Sequence, residues 1–319
     1  MALLSRSVPA GLFGASCWAF VWMMSAGCTV QRDVGHFPDI DAALMDDVGV
    51  QIDVGTVVQA DPTLEDPDGW WLVFVQDRQC IYGVGDPLEN VVWSTYVFQL
   101  RRDRAGAAFI RQRVRMCLHE LSPLQFGFLT VVGPEIPDAQ PTHDVAGFLL
   151  ASAPGSAYVT DEVIDNWGLE GLAADERLPD DDDDPRIVDQ DGDGLPGVTV
   201  SVTTPEGFPL CSVRMIERIR VGLDGAVVDG RHVSGRLLAQ IEQRILSTDA
   251  DLCSGGDLTA SLGQTRFDMV RVDGKQGGPN LDANRDGEVD CVEVRAGLES
   301  TLTFYGLSRL EPDSLTHCP

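Results

Sequence analysis

Val91-Val92-Trp93-Ser94-Thr95-Tyr96-Val97-Phe98-Gln99-Leu100 is an almost unbroken run of β-branched and aromatic residues. Such residues fit the pleated surface of a strand. Asp103-Arg104-Ala105-Gly106 follows, with the composition of a hairpin turn. Beyond it, Ile110, Val114 and Met116 alternate with Arg111, Arg113 and Arg115. A period of two with charge on one face predicts a half-buried strand. The arginine stripe reads as its solvated face, with an anionic ligand as the alternative.

The same texture extends in both directions. Trp70 to Val75, Phe126 to Val132 and Ala146 to Ala151 read as further strands in a β-rich half over 70–178. Within it, a short helix is expected near 162–172. A second β-rich half over 198–272 holds Val198 to Thr204, Val213 to Val221, Val227 to Val233 and Phe267 to Val272, with a turn at Leu223-Asp224-Gly225. Leu237 to Leu246 fits either period, and its neighbours favour strand. Pro179, the acids Asp180 to Asp184 and Pro185 open an acidic segment over 179–197 that reads as a linker between the halves. No series of long helices alternates with these strands. The expected fold is therefore all-β: a disulfide-tied sandwich or barrel, possibly of two related halves, with a C-terminal loop and short helix over 273–319.

Residues 1–27 read as a signal peptide. Arg6 precedes an apolar run from Leu12 to Met24 that is too short to span a bilayer. Ser25-Ala26-Gly27-Cys28 then resembles the lipobox of bacterial lipoproteins, with Ser25 where leucine is usual. The resemblance implies lipid on Cys28, and Thr29 after it resembles outer-membrane sorting. Ordinary cleavage nearby, with Cys28 in a disulfide, is the alternative. Residues 28–69 carry acids from Asp33 through Asp68 and one base, Arg32, and read as an acidic tether. Within it, Val48, Val50, Ile52 and Val54 alternate as an edge strand would. Of eight cysteines, Cys80, Cys117, Cys211, Cys253, Cys291 and Cys318 remain for pairing, and the connectivity is open. No Cys-x-x-Cys pair points to zinc. A net charge of -27 argues against nucleic acid and anionic lipid as partners. A protein or glycan partner and the oligomeric state stay open.

Residues 282–293 read Asp-Ala-Asn-Arg-Asp-Gly-Glu-Val-Asp-Cys-Val-Glu. Hard cations take six to eight oxygen ligands. Asp282, Asn284, Asp286, Asp290 and Glu293 stand at loop positions 1, 3, 5, 9 and 12, with Gly287 at the sharp turn and Val289 as the inward apolar residue. The loop resembles EF-hand and dockerin-type calcium loops. That resemblance implies calcium held by Asp282, Asn284, Asp286, the Glu288 carbonyl, Asp290 and Glu293. The glycine-rich stretch before it cannot form the entering helix of a full EF-hand. After it, Val294, Leu298, Leu302 and Tyr305 share a helical face. A clamp is therefore expected instead of a sensor, with Cys291 fixing the loop to the body. Asp189, Asp191 and Asp193 repeat half of the pattern, without a closing carboxylate. They resemble the aspartate-rich calcium turns of extracellular adhesive proteins, of roughly 10⁻⁴ to 10⁻³ M affinity.

Catalytic signatures are missing from the sequence. His36, His119, His143, His232 and His317 form no His-Glu-x-x-His site, and no nucleophile elbow or phosphate loop is present. His119-Glu120 and His143-Asp144 are poor dyads, because strand neighbours face opposite ways. The reading is a calcium-binding, lipid-anchored cell-envelope protein of structural or binding role, at the outer membrane. Two alternatives remain. One is an exported hydrolase whose site assembles only in three dimensions. The other is a barrel that binds a small apolar ligand in a cavity lined from Trp71, Phe74, Val97 and Ile110; Gly69-Trp70-Trp71 there resembles the Gly-x-Trp of lipocalins.

Overall fold

The computed structural model describes residues 30–31, 66–82, 88–102, 108–124, 127–151, 153–250, 253, 257–261 and 265–311. The signal peptide, Cys28, most of the tether with its Val48–Val54 alternation, the Asp103–Gly106 turn and Cys318 lie outside these residues.

The strands are β1 (Val30–Gln31), β2 (Gly69–Tyr82), β3 (Leu88–Arg102), β4 (Phe109–Leu121), β5 (Leu129–Val132), β6 (His143–Leu149), β7 (Ala157–Thr160), β8 (Val163–Trp167), β9 (Val198–Thr203), β10 (Pro209–Asp229), β11 (His232–Thr248), β12 (Asp257–Ser261) and β13 (Arg266–Arg271). Helix α1 covers Glu135–Ala139 and α2 covers Cys291–Tyr305. The fold is all-β with a short C-terminal helix, as expected. Eight strands pair antiparallel in a ring: β2–β3–β4–β6–β7–β10–β11–β13, with β13 returning to β2. This is a closed up-and-down barrel. Closure leaves the ring no free edge, which an open sheet would have to protect.

Side chains alternate across the wall. Trp71, Val73, Val75, Tyr96, Phe98, Ile110 and Met269 point inward and belong to one buried cluster. Leu72, Phe74, Trp93, Val97 and Val270 point outward and are covered by α2 through Val294, Leu298 and Leu302. So the apolar runs that give the strands no polar face are strands buried on both sides. At the end where β2 begins, Arg271 is buried under the ring. Its guanidinium lies 5.5 Å from the Trp71 ring centroid and donates to the Asp66 and Asp68 carbonyls. Trp71 Nε1 donates to the Pro67 carbonyl. These bonds close that mouth.

Several expectations need correction. Strands of both halves complete the one ring. Residues 179–197, expected as a linker, lie against the outer face of β10 and β11. Leu169, Leu178 and Ile187 pack there on Ile216. Arg218, 1 % exposed, donates to the carbonyls of Ala173, Ala174 and Glu176. Arg244 donates to the Pro179 carbonyl and pairs with Asp182. The helix expected near 162–172 is strand β8. Its β-branched Val163 and Ile164 suit a strand, and Val163, Asp165 and Trp167 all face inward. The turn expected at Leu223-Asp224-Gly225 is the middle of β10. Gly225 is needed there for closeness, since a Cβ would lie 2.6 Å from the Ser234 carbonyl oxygen and 2.7 Å from the Phe267 ring. The chain reverses after Asp229 instead. Leu237 to Leu246 is strand, within β11.

Candidate metal loops and the polar interior

In the 282–293 loop, backbone amides fold around the oxygens of Asp282, Asn284, Asp286 and Glu293. Asp282 accepts the amides of Asp286 and Gly287 at 3.1 and 3.0 Å. Asn284 Oδ1 accepts Asp286 N–H, and Asp286 Oδ1 accepts Glu288 N–H. Glu293 reaches back from the helix, accepting Ala283 and Asn284 N–H on Oε1 and Asp290 N–H on Oε2. Asp290 Oδ1 accepts Glu293 N–H, which completes a capping box. Gly287 has φ 88° and Val289 is buried, as the loop pattern requires. An ionised carboxylate has about four lone-pair sites, so these bonds leave oxygen capacity for a cation.

The loop is fastened to the barrel on two sides. Cys291 is disulfide-bonded to Cys117 on β4, and Trp70 Nε1 on β2 donates to the Gly287 carbonyl at 3.0 Å. A second disulfide joins Cys211 and Cys253, and Cys80 is disulfide-bonded as well. No α-helix enters the loop; only a three-residue 3-10 turn, Lys275–Gly277, precedes it.

The second loop gathers its acids more tightly. Among the described residues, Asp189, Asp191 and Asp193 are the one acidic group whose carboxylate oxygens all lie within 4.8 Å of one another. This triad can hold a metal ion. Asp189 accepts Gly192 and Gly194 N–H. Asp193 accepts Leu195 N–H and the Thr199 hydroxyl. Asp191 Oδ2 accepts Thr199 N–H, while Asp191 Oδ1 is buried without a partner. Burial raises the Asp191 pKa, against the Thr199 amide that lowers it. An orphaned carboxylate oxygen among converging oxygens suits a hard cation. This loop has only half of the pattern in sequence, yet its carboxylates are the ones that converge among the described residues.

Polar groups also meet inside the barrel, from strands far apart in sequence. Ser94 Oγ lies 3.0 Å from His119 Nδ1, and His143 Nε2 lies 2.8 Å from Asp165 Oδ1. The His119 ring meets Trp167 edge-on at 4.8 Å. Burial lowers His119 to about 4 and raises Glu217 to about 8. It also raises Tyr96, helped by Asp165 and Glu217. The partners of His119 and His143 are not their chain neighbours. Pairing of β3 with β4 supplies Ser94, and β8, which pairs with β10 and not with β6, supplies Asp165; no local motif could have announced them.

Among the described residues, the two voids that follow are not lined by Ser94, His119, His143, Asp165 or Glu217. A void among Pro67, Trp71, Leu149 and Val233 at the closed mouth measures about 10 Å³, the least that holds one water. The space among Val73, Tyr96, Phe98 and Val221 holds none. Of the residues expected to line a ligand cavity, Trp71 and Ile110 face the barrel interior, while Phe74 and Val97 face α2. Comparison with protein-family models, characterised proteins and solved structures finds no match.

Proposed function

We infer that this is a calcium-binding, lipid-anchored protein of the cell envelope, with a structural or binding role. The observation that carries the reading is the position of the 282–293 loop. It joins the last barrel strand to α2, is disulfide-bonded to the wall, and carries Asp282, Asn284, Asp286, Glu288, Asp290 and Glu293 along its twelve residues. Calcium supplies charge neutralisation there: one dication draws the acidic side chains together and holds the start of α2 against β2 and β4. Asp189, Asp191 and Asp193 form a second, weaker site that stiffens the turn before β9. Disulfides support an oxidising compartment, and Cys28 after Ser25-Ala26-Gly27 supports lipidation there.

Titration calorimetry with calcium tests the metal, and mass spectrometry of the exported chain tests the anchor. Two binding events are expected, the tighter one lost in Asp282→Ala and the weaker one in Asp191→Ala. Absence of binding at millimolar calcium removes the metal claim. An unmodified Cys28 removes the anchor.

A further inference from the structure

The chain has eight cysteines, and Cys117–Cys291 and Cys211–Cys253 account for four of them. Cys80 is disulfide-bonded too. Its partner is therefore Cys17, Cys28 or Cys318. Cys17 lies within the expected signal peptide and would leave with it. The choice falls between Cys28 and Cys318.

The chain beyond α2 points to one of them. Gly306 ends the helix at φ 65°, and the residues after it lie along the outer face of β2. Gln76 Nε2 donates to the Ser308 carbonyl at 3.2 Å, and Leu310 N–H donates to Gln76 Oε1 at 2.6 Å. Arg78 then donates to the Glu311 carbonyl at 3.1 Å. Leu307 and Leu310 pack on the outer apolar cluster. The Arg309 guanidinium lies 4.9 Å from the Trp93 ring centroid and pairs with Glu120 and Glu299. From Ser308 to Glu311 the tail thus advances along β2 from Gln76 to Arg78. Cys80 is the next residue of β2 on that face, and it is fully buried. Two residues of strand from Arg78 to Cys80 span about 7 Å. The stretch from Glu311 to Cys318 reaches about 24 Å when extended, which is ample for a disulfide. Cys28 stands beside another strand. It is two residues before Val30, whose register partner is Gln243 on β11, and β13 lies between β11 and β2 in the ring.

We infer that Cys318 is the partner of Cys80. The bond forms as the two thiols pass two protons and two electrons to a disulfide donor of the oxidising compartment, which is left as a dithiol. It fastens the tail along β2, so that α2 is held at its start through Cys291 and beyond its end through Cys318. It also leaves Cys28 outside every disulfide of the mature chain, with the thiol that lipid attachment requires. That last consequence rests on the lipid-anchor reading; the pairing itself does not.

The test is mass spectrometry of the exported, unreduced chain after trypsin, with any free thiol blocked beforehand. Cleavage at arginine puts Cys28 on the peptide ending at Arg32, Cys80 on Gln79–Arg101 and Cys318 on Leu310–Pro319. The expected product is Gln79–Arg101 joined to Leu310–Pro319, which reduction separates. The same product is expected from the Cys28→Ser variant. Gln79–Arg101 joined to the peptide ending at Arg32, or Cys80 recovered as a blocked thiol, overturns the inference. The anchor is read on the peptide ending at Arg32. An unmodified Cys28 beside the expected joined product removes the anchor and leaves the pairing standing. Lipid on Cys28 beside a blocked Cys80 thiol removes the pairing and leaves the anchor standing.

Discussion

Glu217 and His119 are both held in their neutral forms inside the barrel, and each sets a slope of stability against pH. Burial raises Glu217 from 4.5 to about 8, so the folded state keeps a proton that the unfolded chain releases. Stability falls as pH rises from about 4.5 through 8. His119 is lowered from 6.5 to about 4, so the unfolded chain takes up a proton that the folded one refuses. Its contribution is lost as pH falls from 6.5 toward 4. Between 4.5 and 6.5 the two slopes cancel, because both states then hold one proton on this pair. Denaturant unfolding across pH 4 to 9 is expected to show this plateau with a fall on either side. Glu217→Gln removes the alkaline fall and gains about 3 kcal/mol at pH 7; an unchanged alkaline limb would contradict the assignment. Asp191 gives a prediction of opposite sign under two conditions. With its orphan oxygen buried, Asp191→Asn stabilises the protein in chelator and weakens calcium binding. Loss of stability in chelator would contradict this.

At the scale of elements, the start of α2 separates capping from metal binding. Asp290 caps Glu293 N–H and also stands at loop position 9. Asp290→Ala should cost about 1 kcal/mol in chelator, whereas Asp290→Asn, which keeps a capping oxygen, should cost little. Urea unfolding of both variants checks it, and equal losses would mean that charge, not the cap, matters there. The excursion over 169–197 depends on Arg218, which binds three carbonyls while nearly fully buried. Arg218→Ala leaves those carbonyls unpaired and should cost about 3 kcal/mol, with new proteolytic cleavage near Ala173 to Glu176. Intact resistance to proteolysis would show that the apolar contacts of Leu169, Leu178 and Ile187 suffice. This excursion was illegible in the sequence for a physical reason. Asp180 to Asp184 has the composition of a solvated linker, and the arginines that dock it arrive from β10 and β11. Strand β8 was misjudged similarly, because its pairing with β10 overrides a short local pattern.

For the whole molecule, alternation alone revealed the β class, and the loop motif revealed α2 with its buried Val294, Leu298 and Leu302. Closure was not legible. It depends on β13 returning to β2 and on β10 exchanging partners along its length, which no local spacing encodes. Because both halves share one ring, calorimetry should record one cooperative transition; two resolved transitions would mean that the halves unfold separately. The closed barrel, the fastened loop and α2 together make the proposal one of clamping, in which calcium at 282–293 would hold the helix on the wall. Amide hydrogen exchange along Cys291–Tyr305, with calcium and with chelator, tests that claim most directly. The account predicts slower exchange across α2 with calcium, and no such gain in Asp282→Ala. Identical exchange in calcium and chelator would contradict it.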